Sequence, residues 1–181
     1  MLRLGSNSKT RAKILTDFKI PFKQTSGTFD EEKIKTKDPK SFVYEATNGK
    51  YNEIYNQYGI KEYPLLVADS VVKSNNILFR KPKNINEAKN MLQIYNNNKL
   101  SILTCMIYHS IKIKLIDISI TSYWLKKFDK KDLEYYIYSN NCMGKAGAVE
   151  VEGFFKPYIK KSIGYESNAM GLCVEKLIPF L

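Results

Sequence analysis

Apolar positions along the chain repeat with two different periods, and the changes of period divide it into elements. Leu65 to Val72 is a nearly continuous apolar run, with five branched aliphatics among its six apolar residues. Tyr63-Pro64 before it and Lys73-Ser74-Asn75-Asn76 after it bound the run, which predicts a buried strand. Ser74-Asn75-Asn76 predicts a turn, and Ile77-Leu78-Phe79 the returning arm of a hairpin. Spacings of three and four predict helices over Lys9 to Phe18, Pro39 to about Tyr58, from Asn86 to Tyr95, and over Asp129 to Ser139. Ser8 is a fitting N-cap for the first of these and Gly59 a stop for the second. Met1 to Gly5 and the segment entered through Ile20-Pro21-Phe22 predict short strands, and alternation over Ser101 to Tyr108 and Lys112 to Leu125 predicts an antiparallel pair. Toward the end, Gly144 to Phe155 predicts a small-residue stretch followed by a strand with alternating glutamates. Gly164 to Asn168 predicts a loop, and Ala169 to Leu181 a short amphipathic helix.

Composition narrows the class. The 181 residues, 44% hydrophobic and 26% charged, suit one domain over residues 1–181, whole or bilobed, with a substantial core. Lysine and arginine number 29 against 18 acidic residues, a net charge of +11 that calls for an anionic partner. Nucleic acid, an acidic membrane surface and nucleotide phosphates all satisfy that sign, and the basic residues are scattered, as on a solvated surface. Cys105, Cys142 and Cys173 lack metal or redox spacing and read as small buried residues. His109 is the only histidine and reads as structural, which leaves little room for Ser-His, Cys-His or multi-histidine chemistry. With no run of 18 apolar residues and no signal peptide, a soluble cytoplasmic protein is expected.

Asp69 is the anomaly within the central strand, because a desolvated carboxylate is costly unless it is paired, metal-bound or opened onto a cleft. It reads either as a strand-end cap of a local turn or as a catalytic or metal-binding group. Gly5-Ser6-Asn7-Ser8 joins a strand to a helix N-terminus, which offers free N–H groups and the positive end of a dipole to an anion, with Arg11 one turn in. It is equally an ordinary strand-to-helix connection. Thr28 to Glu32 is an acidic knot that could cap a helix or hold a divalent ion. Lys50 falls on a helix where a solvated face is the plain alternative. Lys81 sits just before Pro82, whose ring fixes an extended backbone able to aim an ammonium, with a common basic linker as the plain alternative.

Taken in order, these stretches resemble the Maf family, the septum-formation-associated house-cleaning nucleotide pyrophosphatases. The family opening L-A-S-x-S-P-R-R is similar to Leu4-Gly5-Ser6-Asn7-Ser8-Lys9-Thr10-Arg11, and the acidic D-x-D-E element to Thr28-Phe29-Asp30-Glu31. L-A-x-x-K-A corresponds in position to Ala46 through Lys50-Tyr51, G-A-D-T-V-V to Val67-Ala68-Asp69-Ser70-Val71-Val72, and G-K-P to Arg80-Lys81-Pro82. D-K-A-G-A-Y-G-I-Q-G resembles Gly144 through Gly153, and G-x-x-x-N-x-x-G-L-P resembles Gly164 through Asn168 to Cys173. The resemblance covers nearly the whole chain, with departures at Lys9 and Thr10, at Ser70 for threonine, and at Glu152 for glutamine.

The resemblance implies a Maf/inosine-triphosphatase-like α/β fold, with an elongated mixed sheet flanked by helices and two lobes around a central cleft. It implies a nucleoside triphosphate pyrophosphatase in which Glu31 and Asp69 hold Mg²⁺ or Mn²⁺ and Asp69 accepts the proton of the attacking water. Lys50, Lys81 and Arg11 would grip the phosphates with Ser6 and Ser8, while Thr10, Ser70 and Glu152 would select the base. A glutamate at the Glu152 position goes with the branch that takes 7-methyl-GTP, CTP and UTP. A homodimer is implied, without stable nucleic-acid or membrane partners. Two other readings stand beside it: a basic nucleic-acid-binding module using the 13 tyrosines and nine phenylalanines for stacking, and an inactive family member serving in division-related interactions.

Overall fold

Strand β3 (Leu65–Ser74) is the spine of the sheet in the computed structural model, which describes residues 1–181. Around it the chain builds a mixed α/β fold whose seven strands run in the order β2-β1-β3-β5-β6-β7, with β4 also on β3. The elements in chain order are β1 (Leu2–Gly5), α1 (Lys9–Asp17), β2 (Phe22–Thr25), α2 (Pro39–Tyr58), β3, β4 (Ile77–Phe79) and α3 (Ile85–Tyr95). There follow β5 (Lys99–His109), β6 (Lys114–Leu125), α4 (Lys130–Tyr138), β7 (Ile159–Ile163), α5 (Glu166–Ala169) and α6 (Val174–Leu177).

One edge of β3 is interrupted, and that interruption positions the site. β1 runs parallel to β3 and pairs with it only at Leu65 and Leu66. The antiparallel β4 joins the same edge from Val72 onward. Val67 to Val71 therefore has a strand on one side only, where β5 pairs with it from Leu65 through Lys73. Asp69 and Ser70 lie in this gap, so their backbone is fixed by β5 while their other side opens toward solvent.

The two faces of β3 are packed differently. On the face carrying Val67 and Val71, the 20-residue α2 lays Phe42, Val43, Ala46 and Ile54 over β3 and β5. Asp38 caps that helix through Ser41 N–H at 2.8 Å, and Gly59, at φ 59°, ends it. On the opposite face the apolar packing splits in two. Leu66 and Ala68 join Leu4, Ile14, Leu15, Met106 and Leu172 on one side, while Val72 joins Tyr95, Leu100, Ile102, Tyr136 and Phe155 on the other. Between them runs a polar seam: Ser70 Oγ and Thr104 Oγ1 are 2.8 Å apart, and Thr104 Oγ1 donates to Asn168 O at 2.8 Å. This seam separates the two apolar clusters on that face.

Most elements fall where the hydrophobic pattern puts them, and the differences concentrate in the last quarter. The expected strand over 149–155 is absent, because Gly147 takes φ 59° inside a 3₁₀ turn and the chain continues through further turns to Tyr158. The edge strand β7 forms instead at Ile159–Ile163 against β6, where Lys160, Lys161 and Ser162 conceal the apolar alternation. Part of the expected loop at 164–168 is the short helix α5, and the expected terminal helix is one turn, α6, followed by a 3₁₀ turn at Ile178–Phe180. Two large apolar side chains in the connections are exposed: Phe18 is the C-cap of α1 and Ile111 lies in the β5–β6 turn.

Candidate active site

Asp69 forms the floor of a cleft of about 630 Å³ that opens from the gap in β3. Its residue is 8% exposed, so the carboxylate is shielded from bulk water yet reachable from the cleft. Three groups contact it: Lys50 Nζ donates to Oδ2 at 2.6 Å, Ser70 N–H donates to Oδ1 at 2.9 Å, and Arg11 Nη2 stands 3.8 Å from Oδ1. Glu31 is tied to it through Lys50: the same ammonium donates to Glu31 Oε1 at 2.6 Å. Glu31, Lys50 and Asp69, read from three separate stretches, thus meet at one point.

Arg11 is held as firmly as Asp69. Its Nε donates to Gly171 O at 2.7 Å, Nη1 to Ser6 Oγ at 3.0 Å and Nη2 to Ser70 Oγ at 3.3 Å. Ser8 caps α1 by accepting from Arg11 N–H at 3.3 Å, and Ser6 Oγ accepts from Ser8 N–H at 3.2 Å. In these contacts both hydroxyl oxygens accept, which leaves their protons free to donate into the cleft, beside the first-turn N–H groups of α1 that have no intrahelical acceptor. Ser6, Ser8, Thr10 and Arg11 all line the cleft, so the loop has the makings of an anion site.

Glu31 is carried by a 3₁₀ turn, Glu31–Lys33, capped by Asp30 through Glu32 N–H at 3.0 Å. The acidic knot therefore caps its own turn, and α2 is capped separately by Asp38. Glu53 fastens the preceding segment to α2 by accepting from Thr28 N–H and Oγ1 at 2.7 and 2.8 Å. Phe29 lies against Gly49 so closely that a Cβ at that position would collide with its ring, which explains a glycine inside a helix just before Lys50. Arg80 holds the turn from above, with Nη2 on Glu31 Oε2 at 3.2 Å and Nη1 on Glu32 Oε1 at 3.1 Å.

The opposite wall is looser. Lys81 and Glu152 are exposed side chains lining the cleft, and Lys145 reaches Glu150 at 3.1 Å and Asn141 O at 2.6 Å. Gly147 links this wall to the rest by donating from N–H to Arg80 O at 2.9 Å. A Cβ there would meet Val72 at 2.6 Å, and the positive φ strains any other residue, so the position requires glycine.

Of the ten residues singled out in sequence, nine line the cleft and Glu31 joins them through Lys50. Sequence reasoning missed Arg80, hidden in a basic tetrapeptide with no periodicity, and the Thr104–Asn168 seam, where single polar residues sit within apolar strands. The remaining candidates lie apart from the cleft. His109 Nδ1 is 2.6 Å from Tyr51 Oη, and all three cysteines are buried and unpaired. Burial pushes the Cys105 thiol up to about 11, which removes it as a nucleophile. Six aromatic rings, Tyr95, Phe128, Tyr136, Phe154, Phe155 and Tyr158, pack on one another in the core. No helix is long and apolar enough to cross a membrane.

Electrostatics fix the protonation state of the floor. Burial alone would push the Asp69 carboxyl up, but the charges of Lys50 and Arg11, with hydrogen bonds from Lys50 and Ser70, outweigh it and hold the group below its ordinary value. Burial draws Arg11 below its ordinary value, opposed by Asp69 and Glu31, and the guanidinium remains the cation. The arrangement is an ionised, sequestered carboxylate facing a cleft whose walls donate to anions. It can take a proton from a water set against a phosphate-bearing molecule.

Comparison with known proteins points the same way. A family model described as Maf-like protein matches residues 1–181. A "Nucleoside triphosphate pyrophosphatase" of a Nitratiruptor species is 45% identical over 179 residues, 98% of this chain and 96% of the relative. One of the same name from Helicobacter pylori (strain J99) is 41% identical over 177 residues, 98% and 93% of the two chains. Another from Campylobacter jejuni is 32% identical over 183 residues, the full length of both.

Proposed function

Since the chain belongs to the Maf-like protein family, we propose that it is a nucleoside triphosphate pyrophosphatase, a hydrolase acting on acid anhydrides that converts the triphosphate to a nucleoside monophosphate and pyrophosphate. The observation that carries this reading is the Asp69 carboxylate, held ionised between Lys50 and Arg11 at the floor of a phosphate-friendly cleft. The cleft volume, about 630 Å³, is that of a small-molecule site.

The steps follow from the residues. The triphosphate enters with its phosphates against the α1 N-terminus, where Ser6, Ser8 and Arg11 donate, and Lys81 reaches them from the other wall. Asp69 orients a water toward the α-phosphorus. As the water oxygen bonds to phosphorus, its proton passes to an Asp69 carboxylate oxygen, the bond from the α-phosphorus to the bridging oxygen breaks, and pyrophosphate leaves with that oxygen. Arg11 and Lys50 offset the negative charge that grows on the phosphates, and fixed cations in a shielded site are worth more than in water.

A divalent cation fits the donor set. Mg²⁺ is commonly held by one or two carboxylates together with substrate phosphates, and Glu31 and Asp69 supply two, with no third acidic, histidine or cysteine ligand grouped beside them. The shared Lys50 ammonium, 2.6 Å from each, occupies a place that already favours positive charge. Mg²⁺ or Mn²⁺ bound there would draw charge from the phosphate oxygens.

The substrates proposed are pyrimidine or non-canonical nucleoside triphosphates, of the dTTP, UTP, CTP or 7-methyl-GTP type, in a house-cleaning role. Glu152 supports that choice, since a carboxylate at the cleft wall accepts from base N–H groups and attracts the cationic 7-methylguanine ring. A pyrophosphate-release screen over canonical and modified triphosphates with Mg²⁺ or Mn²⁺ tests this. Release from a pyrimidine or 7-methylguanine nucleotide is expected, and no release from any nucleotide overturns it.

A further inference from the structure

Arg80 connects three parts of the cleft that are far apart in sequence. Its guanidinium takes Glu31 Oε2 at 3.2 Å with one nitrogen and Glu32 Oε1 at 3.1 Å with the other, and lies 5.1 Å over the Phe42 ring of α2. Its carbonyl accepts from Gly147 N–H at 2.9 Å, and the next residue is Lys81. We propose that Arg80 is a positioning residue that sets the place of the Glu31 carboxylate and, through it, the station of the Lys50 ammonium between Glu31 and Asp69. The proposal rests on the pyrophosphatase reading for its kinetic consequences.

A 3₁₀ turn of three residues is too short to fix a glutamate by itself. Glu31 has one oxygen on Lys50 and the other on Arg80, so two opposed contacts leave its carboxylate a single orientation. Release of the Arg80 contact frees Glu31 to swing toward water, and Lys50 is then left on Asp69 alone. With its second anchor gone, the ammonium that bridges Glu31 and Asp69 at 2.6 Å from each leaves the station from which it faces the cleft. The flat guanidinium is suited to this hold because it reaches two carboxylates in a fixed fork while its face rests on Phe42, which a lysine cannot reproduce.

Pyrophosphate release by the wild type, Arg80→Met, Glu31→Gln and the double variant tests the route. Arg80→Met should lower kcat/KM about tenfold, with the double variant no slower than Glu31→Gln alone, because residues acting through one contact are not additive. Arg80→Lys should recover only part of the loss. Arg80→Met at the wild-type rate, or losses that multiply in the double variant, overturns the proposal. A readout independent of turnover is limited trypsin cleavage at Lys33, Lys35 and Lys37, which should speed up in Arg80→Met at an unchanged melting temperature; unchanged cleavage overturns the hold on the turn. Should the wild type release no pyrophosphate, the functional reading fails, while the cleavage pattern still decides for or against Arg80.

Discussion

The two walls of the cleft are built to different standards. On one, Arg11, Glu31, Lys50 and Asp69 form a chain of charged contacts fixed by α1, α2, β3 and the Arg80 bridge. On the other, Lys81 and Glu152 line the same space as exposed side chains. The first wall offers preorganised charge, which lowers a barrier because nothing must reorganise during the reaction. The second can adapt its long side chains to what arrives. Substitutions on the first wall should therefore strike turnover, and those on the second should strike binding and choice of substrate.

The sharpest way to break this contrast is Asp69→Asn. It keeps the shape of the floor and removes the proposed proton acceptor, so kcat should fall by ~10²–10⁴-fold with an unchanged circular dichroism spectrum. A wild-type kcat in a folded variant would remove Asp69 from the chemistry. Lys50→Met comes next, with a loss of about 10²-fold expected from removing one preorganised charge. It also carries a pH signature. Asp69 is held below its ordinary value in the intact protein, so the base form persists as pH falls and the acid limb of kcat/KM should lie below about 4, the free aspartate value. Without Lys50, two carboxylates face each other, the Asp69 pKa rises and the acid limb moves to higher pH. A limb that stays in place would separate Lys50 from the base.

On the looser wall, Lys81→Met should raise KM about tenfold with kcat changed by less than that, the pattern of lost uniform binding to phosphate. A fall in kcat with KM unchanged would move Lys81 to the first wall. The smallest effect is expected for Glu152→Gln, which should alter the ratio of kcat/KM between cytosine, uracil and 7-methylguanine nucleotides by about tenfold while leaving kcat on the best of them nearly intact. An unaltered ratio would take the base-selecting role from Glu152.

The same contrast governs how much is legible in the sequence. The first wall lies on elements with strong local signals: the continuous apolar run of β3 makes Asp69 conspicuous, Ser8 is a recognisable cap, and the α2 face dictates where Lys50 emerges. Even there the gap itself is invisible, since it depends on where β1 stops pairing and β4 begins, a matter of register between distant strands. The second wall reads as a strand in sequence because Val149, Val151 and Phe155 alternate with polar residues. In the structure a left-handed Gly147, packed against Val72, turns the segment away before it can pair. Arg80 escapes notice for a related reason: a basic tetrapeptide carries no periodicity, and its partners, Glu31 and Glu32, are 49 and 48 residues away.

Hydrolysis of a pyrimidine nucleoside triphosphate in ¹⁸O-labelled water, with both products weighed by mass spectrometry, tests the central claim most directly. A water activated by Asp69 and aimed at the α-phosphorus places the label in the nucleoside monophosphate and leaves the pyrophosphate unlabelled. Label in the pyrophosphate, or release of orthophosphate in its place, would contradict it.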